Sequence, residues 1–191
     1  FRMATFFLIA GYFAALLLAR RDPFVWLKGR VVRLGIPFIT TILTLVPLMN
    51  LACEFSNLPY SAALSSFMHN SLNSGGYWVR HLWFIIVLLY CCAVAAMLAS
   101  RFPALRQKLM PKRVDHVIAR NFTLTLLATA LVLGLWQGAA VEAFYIFGLN
   151  TNLPQQILRL DELIIYAPWF ALGCLLQRMP ITRESFGRIH P

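Results

Sequence analysis

Charge is what this chain has least of. Asp, Glu, Lys and Arg supply 13% of its 191 residues, and only seven of those are acidic. A soluble domain is roughly a quarter charged and about half apolar, whereas 60% of this chain is hydrophobic. That deficit excludes an ordinary soluble domain and points to an integral membrane protein. Cysteine is scarce too. Cys53, Cys91, Cys92 and Cys174 lie in or beside apolar runs, without paired spacing. They make neither a disulfide framework nor a zinc site and read as small buried hydrophobes. No G-x-S-x-G, H-E-x-x-H or Walker loop occurs, nor any internal repeat or low-complexity tract. No basic stretch followed by a short apolar core and a small-residue cleavage site marks a signal peptide. The formal net charge of +10 would suggest nucleic acid in a soluble protein, but no basic stretch is interleaved with exposed aromatics, so no nucleic-acid partner is expected.

What the chain does have is long charge-free runs. Crossing about 30 Å of hydrocarbon takes about 20 helical residues. The candidates are Met3 to Ala19, Leu34 to Cys53, His81 or Leu82 to Ser100, Phe122 to Val141, and Leu163 to Gln177, extendable through Leu160. All are too long for ordinary strands and none alternates as a membrane strand would. The fold class expected is all-α, a polytopic bundle of five spans.

The charges between the runs alternate. Of the 17 basic residues, five fall in residues 20 to 33, six in 101 to 120 and three in the tail from Arg178, so fourteen share one side. By the positive-inside rule that side is the cytoplasm. An odd number of spans then puts Phe1 outside and Pro191 inside. With a start inside an apolar segment and an abrupt end, this predicts a fragment lacking a first span. The outer segment "SSFMHNSLNSGGYW" reads as polar, Gly- and Ser-rich and flexible. The inner loop, with Pro103 and Pro111, reads as a hinge.

Polar residues at the two mouths are the candidates for chemistry. In "WLKGRVVRLGIPF", Arg30 and Arg33 are three apart and share a helical face. Two readings fit them: basic residues that snorkel to the headgroups, or an anion site whose planar guanidinium forks suit phosphate. Pro37 and Pro47 free backbone carbonyls, as in a kinked span that lines a cavity. In "FFLIAGYFAALLLA", Gly11 with Ala15 and Ala10 with Ala14 let helices approach closely. Tyr12 carries a hydroxyl that needs a partner, so it should face the bundle interior. Arg2 marks the outer end of this span. In "WVRHLWFIIVLLYCC", Arg80 and His81 abut the outer end of the third span. Here too two readings fit. With Tyr77, Trp78 and Trp83 nearby, His81 suits an aromatic belt; its imidazole also suits an acid, base or donor near neutral pH. No second ligand stands at metal spacing, so no metal is expected. His116 and His190 look solvated.

"FRMATFFLIAGYF", "RVVRLGIPF" and "HLWFIIVLL", in that order, resemble the membrane-bound acyltransferase family 3. The likeness is greatest to its glucan biosynthesis branch, which succinylates periplasmic glucans. Ala10 stands where that branch usually has Ser, and Ile85 where it has Leu. "IIYAPWFALGCLL" resembles a later span of the same branch, so the likeness covers nearly the whole chain. The resemblance implies about ten spans, of which these would be the second through sixth. It makes residues 1–191 one integral-membrane acyltransferase domain, without its first span and its C-terminal spans, in a bacterial inner membrane.

It also implies O-acyl transfer from cytoplasmic acyl-coenzyme A, with succinyl-coenzyme A as the expected donor, to hydroxyls of an extracytoplasmic glucan or other glycan. No bound cofactor is expected. By position Arg2, Arg30, Arg33, His81 and Trp83 carry over; the family's proposed catalytic His lies in the span expected to be missing. The site expected is His81 as the catalytic candidate, with Arg2, Arg30, Arg33, Arg80, Trp83 and Tyr12 binding substrate. The competing class is a non-enzymatic glycan transporter, which would show helix-breaking pairs and inverted symmetry.

Overall fold

The computed structural model describes residues 2–79, 82–107, 109–146 and 157–187. Every element among them is helical. Helix α1 (Arg2–Leu18) leads through a short polar turn to α2 (Pro23–Leu43). Local chemistry starts α2: the Asp22 carboxylate accepts from the backbone N–H of Phe24 (3.0 Å) and Val25 (3.1 Å), and Pro23 takes the first position. A break at Thr44, three residues before Pro47, separates α2 from α3 (Leu45–Asn57). The Thr40 and Thr44 hydroxyls bond back to carbonyls of the preceding turn, which satisfies them within the helix.

The run Pro23–Asn57 is 35 residues long, about 50 Å, well beyond the hydrocarbon thickness. The second span is therefore longer than its charge-free core, and Arg30 and Arg33 sit inside the helix. Next come α4 (Tyr60–Asn73), α5 (Gly75–Val79), α6 (Trp83–Arg101), α7 (Ala104–Gln107), α8 (Lys112–Arg120) and α9 (Phe122–Val141). The last turn of α9, Glu142–Ile146, widens to a π-helix. Then follow α10 (Leu160–Gln177) and α11 (Pro180–Gly187).

Among the described residues, four helical runs are long and apolar enough to cross a membrane: Pro23–Asn57, Trp83–Arg101, Phe122–Ile146 and Leu160–Gln177. The fifth expected span, α1, is shorter, at 17 residues or about 25 Å. The outer segment is not the flexible loop its composition suggests. It folds as α4 and α5 because its polar groups find partners: Glu54 accepts from Asn70 (3.1 Å) and the Tyr77 hydroxyl (3.2 Å), and the Trp78 indole donates to the Ser71 carbonyl (2.8 Å).

The core lies where α1, α6 and α10 meet, around Phe7, Val87, Leu88, Cys91, Cys92 and Phe170. Lipid is as apolar as these side chains, so close packing rather than water exclusion must hold spans together. The α1–α10 crossing shows how. A Cβ on Gly11 would lie 2.0 Å from the Phe170 carbonyl oxygen, and one on Gly173 1.9 Å from that of Leu8. The two backbones touch, and the Cys174 thiol donates to the Gly11 carbonyl at 3.2 Å. Around this pair, α2 packs on α6, α9 on α10 and α8 on α11.

Candidate functional site

The side-chain contacts sort the helix ends into two faces. On one, Trp83 at the start of α6 stacks on Tyr166 of α10 (5.3 Å), and Tyr166 stacks on Phe7 of α1 (5.1 Å). On the other, Arg106 donates to the carbonyls of Leu18 (3.1 Å) and Arg21 (2.7 Å), and the Met110 N–H donates to the Arg178 carbonyl (3.1 Å). Same-side ends thus meet same-side ends, as the alternating charge requires, and the second face is the basic one.

A charged cluster completes the outer face. Arg159 has φ 51° and ψ 45°, a left-handed backbone that a non-glycine residue adopts at a cost of about 1 to 2 kcal/mol. From there its guanidinium lies over the Trp83 ring (6.0 Å) and donates to Glu162, with Asp161 3.5 Å away. The Tyr145 hydroxyl, on the π turn that ends α9, donates to Asp161 at 2.9 Å and receives from Arg159 at 3.3 Å. The Arg159 Nε is buried, with no partner among the described residues. One cation and two carboxylates leave the cluster net acidic. Its carboxylate oxygens are acceptors for hydroxyl donors, as the Tyr145 hydroxyl shows.

A groove of about 480 Å³ runs between α1, α6 and α10. Its lining includes Leu163, next to the outer cluster, then Ala167, Cys91 and Cys174, and ends at Arg106 and Arg178 on the basic face. Leu163 to Arg178 is 15 residues along the helix, about 22 Å. The groove is apolar along its walls and cationic at the end on the basic face.

The basic face is firmly tied. Asp115 on α8, 1% exposed, accepts from the N–H groups of Ile181 and Thr182 (both 2.9 Å) and from the Thr182 hydroxyl (2.6 Å). It caps the start of α11 from another helix. Burial pushes its carboxyl pKa up, but these hydrogen bonds outweigh that and hold it below the ordinary value. The inner loop is therefore clasped at Arg106, Met110 and Asp115, where proline content alone suggested a hinge.

The family model described as an acyltransferase domain matches residues 1–190. The chain belongs to this acyltransferase family. Its similar proteins include the glucans biosynthesis protein C of Salmonella gallinarum (strain 287/91 / NCTC 13346), 30% identical over 199 residues that cover 97% of this chain and 48% of that protein. Those of Salmonella paratyphi A and Salmonella agona (strain SL483) are 30% identical over 196 residues, with the same coverage. The chain spans about half the length of the curated relatives it matches. No solved structure matches it.

Set in this acyltransferase frame, the expected site residues fare unequally. Arg80 and His81 lie outside the described residues, as does the side chain of Arg2. Trp83 is central to the outer cluster, but Tyr166 stacks on it and the Arg159 guanidinium lies over its ring. Arg30 is half-buried over the ring of Trp26 (5.7 Å), whereas Arg33 is exposed. Neither lines the groove; Arg106 and Arg178 do. Nor do Pro37 and Pro47 line it, so the break in this span does not shape that cavity. Tyr12 is half-buried and accepts from Arg183 (3.4 Å) on the far side of α10. Among the described residues no His, Cys, Asp and Glu cluster is fit for a metal.

Sequence reasoning passed over Tyr145, Arg159, Asp161, Glu162 and Tyr166. A signal was present in "RLDEL", three charges set directly against an apolar span, the same pattern that drew attention to Arg80 and His81.

Proposed function

We propose that this chain is part of an O-acyltransferase of a bacterial inner membrane that moves an acyl group, succinyl by preference, from cytoplasmic acyl-coenzyme A to a hydroxyl of an extracytoplasmic glucan. Support comes from family membership and from the relatives' name, glucans biosynthesis protein C. The observation that carries the reading is the groove along α10. It runs from a cationic end, Arg106 and Arg178, to Leu163, the residue that follows Glu162 of the outer cluster. The arginines suit the phosphates of a nucleotide carrier. The narrow apolar walls suit a long thioester arm.

At the outer end the acceptor oxygen attacks the thioester carbonyl carbon. A new C–O bond forms, the C–S bond breaks, and the coenzyme thiolate leaves and is protonated. The hydroxyl proton passes to a base. Asp161 and Glu162 accept hydrogen bonds from acceptor hydroxyls and orient them. His81, two residues before Trp83 in sequence, is proposed as an acid, base or donor at the same rim. Arg80, its neighbour in sequence, and Arg2, at the start of α1, are proposed to bind substrate with it. Arg30 and Arg33 are proposed to draw the anionic donor toward the basic face from α2.

The test is mass spectrometry of periplasmic glycans from cells with and without the complete gene. Loss of an acyl mass, restored by the gene but not by its His81→Ala form at equal abundance, is the expected result. Unchanged acyl masses with less periplasmic glycan would overturn the enzyme reading in favour of transport.

A further inference from the structure

A second groove, also of about 480 Å³, lies on the other face of α10, between α1 and α9. The Gly11–Gly173 contact separates it from the first groove, so it serves no acyl path between the mouths. Its walls are apolar at Leu8, Phe122, Leu126 and Leu172, with the Thr125 hydroxyl among them. Its cytoplasmic end is Arg183, an exposed residue whose guanidinium donates to the Tyr12 hydroxyl at 3.4 Å, the one partner it has among the described residues. A long apolar slot capped by a cation at the inner face has the polarity profile of a phospholipid: chain between the helices, phosphate at the guanidinium.

Helix α8 supplies an independent observation. Its residues Ile118 and, just beyond it, Phe122 form the floor of this groove. On its outward side Lys112, Arg113 and Arg120 are exposed, and so are Val114 and Val117, at 41% and 59%. A short helix with exposed apolar residues three apart and flanking cations is built to lie in the headgroup zone of an anionic membrane. Its one carboxylate, Asp115, is consumed in capping α11, and only Glu184 is set against the four cations Lys112, Arg113, Arg120 and Arg183.

We infer that the groove between α1, α9 and α10 is a discrete site for one anionic phospholipid of the inner leaflet. Arg183 engages the phosphate, and α8 lies as a basic shelf beside the headgroup. Arg is suited to this task because its fork meets phosphate oxygens bidentately. A zwitterionic lipid brings its own ammonium to a site where the three cations of α8 already stand with Arg183, and is disfavoured.

The experiment uses the full-length protein in nanodiscs made either of phosphatidylglycerol with phosphatidylcholine or of phosphatidylcholine alone. A photoreactive benzoylphenylalanine at Thr129, on the groove wall, is irradiated and the adduct mass is read. Phosphatidylglycerol adducts enriched at least threefold over its share of the lipid, with the enrichment lost in Arg183→Gln, are expected. Arg183 is exposed, so that change leaves the fold intact. Native mass spectrometry of unlabelled protein gives the same reading without the probe: retained phosphatidylglycerol in the parent, at least threefold less in Arg183→Gln. Adducts to a peptide of the same chain or of a second copy would show that protein fills the groove and overturn the inference. So would adducts in proportion to bulk lipid, or enrichment unaffected by Arg183→Gln.

Discussion

The α1–α10 crossing makes the sharpest prediction. Gly173→Ala adds one carbon, at a position 1.9 Å from the Leu8 carbonyl oxygen, where ordinary contact begins at 3.4 Å. The obstacle is backbone, not a side chain that can rotate away. The helices must therefore separate by about 1.5 Å, the difference between those distances. That shift breaks the Cys174–Gly11 hydrogen bond and thins the core around Phe7 and Phe170. Overpacking of this kind costs about 3 kcal/mol, at the upper end of its usual range. Because the groove of the proposed acyl path is walled by α1 and α10, glycan acylation should fall with stability.

The assay is thermal unfolding of the full-length protein in detergent, followed by its monodisperse fraction, with Gly134→Ala and Gly138→Ala as controls. Nothing lies within 4 Å of a Cβ at either control position, so both should be neutral or more stable by about 0.5 to 1 kcal/mol through helix propensity. A Gly173→Ala protein as stable as the parent would refute the contact argument.

Asp115→Ala should free the start of α11 and cost about 2 kcal/mol, the loss of a cap plus charge-assisted bonds; hydrogen exchange at Ile181 and Thr182 would rise. Because the Asp115 carboxyl sits below its ordinary pKa of about 3.8, its stabilisation is fully present above that value and is lost as pH falls through the lower, folded value. The same amides should therefore show no change between pH 6 and 8 on this account and open only in strong acid. Arg106→Ala removes two donors, one from the Leu18 carbonyl at the end of α1 and one from the Arg21 carbonyl in the turn after it, and should cost about 1 to 2 kcal/mol in thermal stability; an unchanged melting temperature would deny that capping role. Trp83→Ala should lower glycan acylation about tenfold at normal abundance, since the Tyr166 and Arg159 contacts both end on its ring, while Trp83→Phe keeps most of the activity.

Span positions were legible in the sequence because a charge cannot sit cheaply in hydrocarbon, so charge-free runs reveal themselves. Boundaries were less so. Arg30 and Arg33 looked like an end of the second span, yet α2 starts at Pro23, because backbone hydrogen bonding continues a helix past the hydrocarbon. The segment 65 to 78 looked like loop because it is rich in Ser, Asn and Gly. It folds through Glu54, which only tertiary placement brings to Asn70 and Tyr77. Gly11 was readable as a packing residue; Gly173, its counterpart 162 positions away, was not.

By itself, then, the sequence determined that the chain is an all-α membrane protein, which face is basic, and which family phrases it carries. These are properties of composition, local spacing and order along the chain. Only the tertiary structure decided which helices touch, that α10 is shared by two grooves, and that Tyr145, Asp161 and Glu162 gather around Arg159, whose guanidinium lies over Trp83. Those facts depend on pairwise contacts between residues tens of positions apart. In lipid such contacts are set by backbone proximity and polar pairing rather than by hydrophobicity, which is nearly uniform along these helices and so leaves no pattern to read.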